Sequence, residues 1–449
     1  MRLAGSSRGL PLLGHLIAFR LDTNGFLLEL ARRQGDIARF RLGRREAFLL
    51  NHPDLVKDAL VVHRFSFGKG ALMMRARRLL GEGLLTSEGE LHRLQRRRLQ
   101  PEFHRQKIAV YGGIMSAAAA RLGERWQPGA PLDMAQEMMH LSMAIVAKAL
   151  FDADVESEAQ ELGAALAVLG KWFPLLTLPY SEVLERLPLP FIRQARSALD
   201  RLDATLRRLI DERRAIPRGD VISMLLAIRD EAGAMPDRLV RDEAMALFLA
   251  GYETTATALT WTWYLLSQHP EVEARLHAEL DSVLGARLPT SEDLPRLEYT
   301  ERVLAEALRL YPPIGRIGLR PLEDYTVQGI TVPKGSALFV SPYVSHRDPR
   351  WFPEPERFDP ERWSPEQRAA RPRFAYFPFG GGPRLCIGEP FAKLASVMAL
   401  STLARRWRAR LVPGHRVEPQ TLITLRPRYG MKMTLERRAE GGAPVPVPS

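Results

Sequence analysis

The only cysteine in the 449-residue chain, Cys386, lies in the glycine-rich run FGGGPRLCIG of residues 379–388. A single thiol cannot form a disulfide within the chain, and a lone cysteine is often just a small buried side chain. The joint spacing of Phe379, Arg384, Cys386 and Gly388 around further glycines indicates instead that the sulfur has a chemical use. The use that we predict is as a thiolate ligand of a metal.

The same run has the properties that a thiolate bound to haem iron requires. Glycines let the backbone turn tightly against a flat macrocycle, and Gly388 leaves no side chain between the loop and the following helix. Backbone amides after Cys386 can point at the sulfur, and Phe379 can shield one side of it, which together tune electron donation to the iron. Arg384 can pair with a haem propionate.

The loop resembles the haem-binding loop of the cytochrome P-450 monooxygenases, F-x-x-G-x-R-x-C-x-G, at every specified position. The resemblance implies a mainly α-helical fold with small β-sheets, forming a single large haem domain over residues 1–437 and leaving a disordered tail over 438–449. It also implies haem b as cofactor and the insertion of one oxygen atom from O2 into a C–H bond or an alkene. Electrons must come from another protein, because nothing resembling a flavin, ferredoxin or nicotinamide domain follows the loop.

A second group of polar residues interrupts a long apolar helix expected from about Asp237 to Gln268. An unpaired carboxylate is costly to bury, so its presence in such a helix needs a reason. Ala250 is small enough to let a flat ligand lie against the helix, and Thr254 is expected to bond to the Ala250 carbonyl and open the helix locally. By the resemblance, Thr254 hydrogen-bonds dioxygen and water at the haem, and Glu253 relays protons. Taken alone, a surface Glu253 and a core-filling Thr254 fit equally well.

A third group begins with Glu306 and Arg309, which share one helix face because they are three residues apart. Such pairs are usually solvated and contribute little. Downstream, the run PERFDPERW of residues 355–363 matches the family's second signature. The resemblance implies that Arg357 completes a buried Glu-Arg-Arg triad, which holds the cysteine loop beneath the haem.

Two further residues, His92 and Arg96, are four positions apart and so share a helix face. The resemblance places residues of this kind against the haem propionates. A third propionate contact is expected just before Asp324, where Arg320 is the first candidate and Arg316 is the alternative.

Substrate identity is the part on which the sequence says least. The positions that the resemblance gives to the substrate pocket are Leu85, Ala250, Ile314, Ile317, Leu422 and Ile423. These residues are apolar, and no obvious cation marks a carboxylate anchor, so we expect a fatty acid, terpenoid, steroid or polyketide. The segment Trp172, Phe173 and Pro174, with Pro188 and Pro190, is either a mobile lid or ordinary packing.

The composition is that of an ordinary globular protein with 46% hydrophobic residues, but the formal charge is +12. The basic residues are scattered among acidic ones, without a nucleic-acid-binding motif, which argues against nucleic acid as a partner. Residues 96–98, together with Lys393, Arg405 and Arg406, either form a docking face for an acidic ferredoxin or flavodoxin or are simply solvated. With no long apolar stretch and no signal-like start, the chain is predicted to be cytoplasmic. We also expect a monomer.

Two other functions remain open at this stage. A peroxygenase would use peroxide directly, but such relatives typically lack the acid and alcohol that Glu253 and Thr254 supply. A non-catalytic haem-thiolate sensor would need no proton relay and usually carries a signalling domain, of which the sequence has no sign.

The coarse pattern predicts a helical middle, from about residue 90 to 310, with sheet towards both ends and an irregular stretch over 345–380. Strands are predicted over residues 36–42, 46–50, 325–327, 337–340 and 422–425.

Overall fold

The computed structural model describes residues 9–152, 165, 168, 189–230 and 233–438. Most of the lid proposed from the sequence, Trp172, Phe173, Pro174 and Pro188, therefore lies outside the described residues. Of the tail predicted over residues 438–449, only Arg438 is described. Its backbone amide donates to the Arg406 carbonyl at 2.9 Å, so the structured chain reaches at least this residue.

Helices form most of the described chain, as the sequence predicts. In chain order they are α1 (Leu16–Leu21), α2 (Thr23–Gln34), α3 (Pro53–Lys57), α4 (Ala71–Leu80), α5 (Gly89–Leu99), α6 (Arg105–Ala109), α7 (Gly112–Arg125), α8 (Met134–Phe151), α9 (Pro190–Ala215), α10 (Val221–Ala227), α11 (Asp237–Gln268), α12 (Pro270–Leu284), α13 (Glu298–Leu310), α14 (Pro342–Ser345), α15 (Pro365–Ala369) and α16 (Glu389–Ala404).

Strands are short and fall towards the two ends of the chain, with one small hairpin between them. They are β1 (Ile37–Leu42), β2 (Arg45–Leu50), β3 (Phe67–Lys69), β4 (Pro131–Asp133), β5 (Arg229–Asp230), β6 (Gly233–Ala234), β7 (Ile317–Pro321), β8 (Tyr325–Val327), β9 (Ile330–Val332), β10 (Ala337–Val340), β11 (Trp407–Leu411), β12 (Pro419–Thr421), β13 (Leu425–Pro427) and β14 (Lys432–Arg437).

Contacts divide the chain into two compact units. The first unit comprises Met1–Met74, Ala305–Ile387 and Glu418–Arg428. The second unit comprises Arg75–Leu304, Gly388–Val417 and Tyr429–Ser449. The division of the sequence into one haem domain over 1–437 and a tail stays a prediction.

A five-stranded sheet of order β1-β2-β10-β7-β3 organises the first unit. Successive side chains of a strand point to opposite faces, and both faces of this sheet are buried. Phe48 and Leu50 of β2 join one apolar core, whereas Leu49 joins another in which Leu27 of α2 is fully buried. The strands predicted over 36–42, 46–50, 325–327 and 337–340 are confirmed.

The second unit is built around α11, whose bounds are those predicted from the sequence. Most of its residues are buried, including Trp261 and Trp263, and α8 is among the helices packed against it. The unit also contains a sheet of order β11-β14-β4. Within the part of the chain that the structure describes, no helix combines the length and apolar character that a membrane crossing requires.

One predicted strand is wrong in detail. Residues 422–424 form the turn between β12 and β13, where the Leu422 amide donates to the Thr424 carbonyl at 3.1 Å. The strand-like composition of residues 422–425 instead belongs to a hairpin tip and to the first residue of β13.

Candidate active site

The cysteine loop is closed on itself by backbone hydrogen bonds. The Cys386 amide donates to the Phe379 carbonyl at 2.9 Å, and the Gly380 amide donates to the Phe377 carbonyl at 2.9 Å. Gly380 and Gly382 have positive φ values of 76° and 63°, which residues other than glycine rarely adopt. The loop therefore has a defined shape with Cys386 exposed near its end.

Gly382 is needed for a second reason, which the sequence did not reveal. A Cβ added there would lie 2.0 Å from the Leu60 carbonyl oxygen. Leu60 belongs to a π-helical turn over Asp58–Val62, a rare conformation that is frequent at functional sites. The loop and this turn thus meet backbone to backbone.

Three cations of the first unit belong to or contact strand β3. Arg384 donates from Nη2 to the Phe67 carbonyl at 3.2 Å, and Arg320 on β7 is the register partner of Gly68. Lys69, the last residue of β3, is only 9% exposed. The structure therefore brings Arg320 and Arg384, both predicted from the sequence, to one strand, and adds Lys69. A lysine in a three-residue strand gave no sequence signal.

Glu306 lies at the centre of a fully buried cluster on α13. Both its oxygens accept from Arg309, from Nε and from Nη2, at 2.8 Å each. The Asp359 amide donates to it at 3.0 Å, and the Trp363 indole donates at 2.9 Å. A buried charge of this kind is tolerated when its hydrogen-bonding capacity is met, so the ion pair predicted from the sequence is confirmed as a structural element.

The prediction that Arg357 completes the triad is wrong. Its side chain is 62% exposed and lies 3.6 Å from Glu354, whereas Arg362 is 7% exposed with Nε 3.4 Å from a Glu306 oxygen. The run PERFDPERW contains two Pro-Glu-Arg-aromatic segments five residues apart, and the second one supplies the buried arginine. Arg357 contributes only its carbonyl, which accepts from Arg309 at 2.9 Å.

Arg309 extends this cluster towards the cysteine loop through His346. The guanidinium donates to the His346 carbonyl at 2.9 Å, and Nε2 of His346 accepts from the Phe377 amide at 3.0 Å. Burial lowers the pKa of His346 well below its usual value, so the ring is neutral and can act as an acceptor. The Glu306 cluster is thus connected to Phe377, which lies two residues before the glycine-rich loop.

In the second unit, the middle of α11 presents a small open stripe in an otherwise buried helix. Ala250 is exposed and Thr254 is partly exposed, whereas Tyr252 and Glu253 are buried. Ala250 and Thr254 are four residues apart, so they lie on one face. This is the pattern expected where a ligand covers a helix.

The predicted bond from the Thr254 hydroxyl to the Ala250 carbonyl is present at 2.7 Å. Thr260 and Thr262 make the same bond at 2.7 and 2.8 Å although both are buried. The bond is therefore a general property of threonine in this helix. What distinguishes Thr254 is its exposure. The helix continues without a break here, so the local opening predicted from the sequence is not seen as an interruption.

Two acidic residues earlier in α11 hold the segment that contains Leu85. Asp242 accepts from the Glu82 amide at 2.8 Å, and Glu243 accepts from the Leu84 amide at 2.9 Å. A Cβ on Gly81 would lie 2.1 Å from the Asp242 carboxylate, so this glycine permits the contact. Burial is the largest cause of the raised pKa of Asp242. Sequence reasoning missed both carboxylates, because the amides that donate to them lie about 160 residues away in the sequence.

His92 and Arg96 lie on α5, as predicted, and on one face. His92 is 7% exposed, and Arg96 is partly exposed with Nε donating to Gln100 at 2.7 Å. Between them, Gln95 donates to the Glu82 carbonyl at 2.6 Å, which fixes α5 against the segment held by α11.

The predicted pocket residues of the first unit come from two segments that are joined. The Leu425 amide donates to the Pro313 carbonyl at 2.9 Å, which attaches the β12–β13 hairpin next to Ile314. Ile314, Ile317, Leu422 and Ile423 are all partly buried. Apolar side chains with remaining accessible surface are the composition of a ligand-binding wall.

The basic residues predicted to form a docking face belong to the second unit. Lys393 is paired with Glu389 at 2.6 Å, and Arg405 donates to the Gly285 carbonyl at 3.2 Å. Arg97 is exposed. Part of the predicted positive charge is thus locally compensated, and the docking role stays a prediction.

The family model for cytochrome P-450 matches residues 5–434. The chain is a cytochrome P-450. This haem-thiolate family uses O2, an apolar substrate and a redox partner, and the chain is a monooxygenase of it.

Among curated relatives, this cytochrome P-450 is 41% identical to cyclooctatin synthase of Streptomyces melanosporofaciens, over 93% of this chain and 92% of the relative. It is 40% identical to cyclooctat-9-en-7-ol 5-monooxygenase of the same organism, over 90% and 89%. Pentalenene oxygenase of Streptomyces avermitilis is 35% identical over 98% of both chains.

Among solved structures, the heme domain of cytochrome P-450DA matches with a TM-score of 0.87 at 26% identity, covering 96% of this chain and 97% of that one. A retinoic acid-bound cyanobacterial relative matches with a TM-score of 0.85 at 27% identity, covering 96% and 98%. The predicted fold class, mainly α with small sheets, is confirmed.

The donor set fits a haem. Cys386 is exposed at the end of a loop whose shape is fixed by glycines, so its sulfur can bind one open position of a metal held by another group.

Proposed function

We propose that this cytochrome P-450 hydroxylates a cyclic terpenoid, with haem b as its cofactor and Cys386 as the protein ligand of the iron. The terpenoid class is supported by the relatives at 35% to 41% identity, whose names refer to cyclooctatin, cyclooctat-9-en-7-ol and pentalenene. The observation that carries the ligand assignment is the exposed Cys386 in its closed, glycine-shaped loop.

Bound haem with a thiolate ligand supplies oxygen activation, because the thiolate donates electron density that favours O–O cleavage. The chain's own part is to hold the thiolate in place and keep it anionic. The Glu306 cluster and His346 fix the start of the loop, and the hydrogen bond from the Cys386 amide to the Phe379 carbonyl closes it. Breaking this support is expected to reduce thiolate ligation before it changes substrate binding.

Thr254 and Glu253 are the proposed proton-delivery pair. The Thr254 hydroxyl donates to Ala250, so its oxygen can accept a hydrogen bond from a water molecule. Glu253 is the next residue towards the helix N-terminus and is buried, and a carboxyl there can exchange protons with such water. Hydroxyl and carboxyl together can position and supply protons without exposing the site to bulk solvent.

His92, Arg96, Arg320 and Arg384 are proposed to bind the haem propionates. Phe379 and Gly388 are proposed to shape the cysteine side of the haem, and Ala250 to lie against it. We add Lys69 to the residues proposed to bind the propionates, because it lies on β3, which pairs with the strand that contains Arg320. Charge-assisted pairs of this kind are short and strong, so single removals should weaken haem retention.

Leu85, Ala250, Ile314, Ile317, Leu422 and Ile423 are proposed to line the substrate pocket. A ferredoxin or flavodoxin as electron donor, a monomeric state and a cytoplasmic location stay predictions from the sequence.

Turnover assays with a surrogate ferredoxin and its reductase test the proposal. The reconstituted protein, supplied with cyclic terpenes and 18O-labelled O2, should give a hydroxylated product that carries one labelled atom. Product formed with peroxide but not with the reduced ferredoxin would contradict the proposed reaction and favour a peroxygenase. Oxidation of fatty acids or steroids, with no terpene oxidised, would overturn the substrate class alone.

A further inference from the structure

Arg316 lies in the first unit between two residues assigned to the substrate pocket, Ile314 and Ile317. Its side chain is only partly exposed, and its guanidinium carbon is 5.6 Å from the ring centroid of Phe19. Within the ranges that the structure describes, Arg316 has no hydrogen bond and no ion pair. Arg316 is thus adjacent in sequence to two proposed pocket residues and has no oxygen partner among the described residues.

Other arginines of this unit make clear how unusual that is. Arg309 donates to Glu306 and to three carbonyls, Arg362 lies beside Glu306, and Arg384 donates to Phe67. Burial lowers the pKa of Arg316 to about 10, so the group still carries its charge at neutral pH. Because the side chain keeps some accessible surface, its donors are available to water or to an oxygen atom of a bound molecule.

Asn24, which packs against Gly315 next to Arg316, gives an independent indication of a polar binding site. This side chain is 2% exposed, and both its amide nitrogen and its amide oxygen lack hydrogen-bond partners among the described residues. The amide packs against Gly315, where an added Cβ would lie 2.6 Å from Nδ2. The Arg316 side chain and the Asn24 amide, which packs against Gly315, therefore both have unmet hydrogen-bonding capacity among the described residues.

A haem propionate is the other acceptor that could pair with Arg316, but the positions of the cations favour other residues as partners of the propionates. Arg320 and Lys69 lie on the paired strands β7 and β3, and Arg384 binds the carbonyl of Phe67 on β3. Arg316 instead precedes β7 and contacts Phe19 of α1. The cations of this unit that are proposed for the propionates thus belong to β3 or contact it, and Arg316 is not among them.

We propose that Arg316 binds an oxygen atom of the substrate, so that the substrate is an oxygenated terpenoid, an alcohol or a carboxylic acid, rather than a plain hydrocarbon. This inference rests on the proposed function and deepens it. Arg316 supplies charged donors to the substrate oxygen, and Asn24 supplies a neutral amide beside it. The remaining pocket residues select the carbon skeleton.

Binding measurements on matched probes test this directly. Equilibrium dialysis of haem-loaded protein compares cedrane with cedrol, which share one skeleton, and dodecane with dodecanoic acid. Dialysis does not depend on the haem spectrum. Wild-type protein should bind the oxygenated member more tightly in at least one pair. Arg316→Leu should weaken that binding by about tenfold or more, the value of a charge-assisted hydrogen bond, and change hydrocarbon binding less than about twofold.

Arg320→Leu is the matched control, since it removes an arginine four residues away that is assigned to the haem. It should lower haem content while leaving the ratio of alcohol to hydrocarbon affinity unchanged. Arg316→Lys should restore part of the preference by keeping the charge.

Three results would overturn the inference. One is a wild-type protein that prefers no oxygenated probe, and another is a preference that survives in Arg316→Leu. The third is haem loss in Arg316→Leu equal to that in Arg320→Leu, which would assign Arg316 to a propionate. Failure of the proposed function would be seen separately, as the absence of the thiolate band in the wild-type carbon monoxide spectrum.

Discussion

Two carboxylates, each placed between arginines, are treated differently in the two units. Glu306 is fully buried and receives donors from Arg309, a backbone amide and an indole. Glu273 on α12 is also buried, but Arg410, which binds it at 2.8 and 3.1 Å, is 30% exposed and can reach water. The first group depends on its partners alone, whereas the second shares the charge with solvent.

Two buried histidines repeat the contrast. His346 in the first unit accepts from the Phe377 amide, so it has a defined structural role. His277 in the second unit has no hydrogen-bond partner for either nitrogen within the described residues, and its surroundings include Arg408, Arg410 and Arg438. His346, next to the cysteine loop, is thus held by a specific hydrogen bond, whereas His277 is buried without one among the described residues.

The largest expected effect is at Glu306. Glu306→Gln leaves two buried arginines without their counter-charge and should cost about 3–5 kcal/mol of unfolding free energy. Glu273→Gln is the matched control and should cost about 1 kcal/mol, because its arginines are partly solvated. Urea unfolding of the haem-loaded proteins measures both, and equal costs would remove the distinction between the two clusters.

The choice between the two arginines of PERFDPERW gives the next effect. Arg362→Ala should destabilise the protein by about 2–3 kcal/mol, since it removes a buried charged group beside Glu306. Arg357→Ala should change the unfolding free energy by less than about 0.5 kcal/mol, because only its carbonyl is used. A larger loss for Arg357→Ala would restore the sequence-based triad.

This pair shows what sequence reasoning could and could not reach. Helix α11 and the Glu306–Arg309 pair follow from local spacing, and the structure contains both. The cysteine loop follows from its resemblance to a family signature, and its role as the iron ligand stays a prediction. The third arginine did not follow, because two segments of equal local chemistry compete and only tertiary burial chooses between them. Asp242 and Glu243 were missed because the amides that donate to them lie far away in sequence, and Lys69 because only its burial on β3 distinguishes it.

Stability at low pH should report on the burial of His277. Burial and nearby arginines lower the pKa of His277 to about 3, so the unfolded chain, with a pKa of about 6.5, binds the proton first as the pH falls. Protonation of His277 should therefore leave the free energy of unfolding unchanged above about pH 6.5 and should lower it by about 2 kcal/mol by pH 5.

His277→Leu should remove that part of the pH dependence without loss of stability at pH 7.5, a condition chosen to keep histidine neutral. His346→Leu should instead destabilise the protein at this pH by about 1–3 kcal/mol, because the Phe377 amide loses its acceptor. The assignment would be contradicted if wild type and His277→Leu lost the same free energy of unfolding between pH 7.5 and pH 5.

The smallest expected effect on stability is at Thr254, and it sharpens the comparison on the catalytic side. Thr254→Ala should leave the unfolding free energy nearly unchanged and reduce product formed per electron consumed by about tenfold, because water and protons are no longer positioned. Thr260→Ala breaks the same type of hydroxyl bond at a buried position and should change stability but not coupling. Equal coupling losses in both variants would assign the effect to the helix rather than to Thr254.

The bond between the Cys386 sulfur and the haem iron is central to the proposed reaction, and the reduced carbon monoxide spectrum reports on it. Wild-type protein should absorb at about 450 nm, the wavelength in the family's name. Cys386→Ser should lose that band while Thr254→Ala keeps it. A folded, haem-loaded Cys386→Ser variant that retains the band, or a wild-type protein that never develops it, would contradict the central claim.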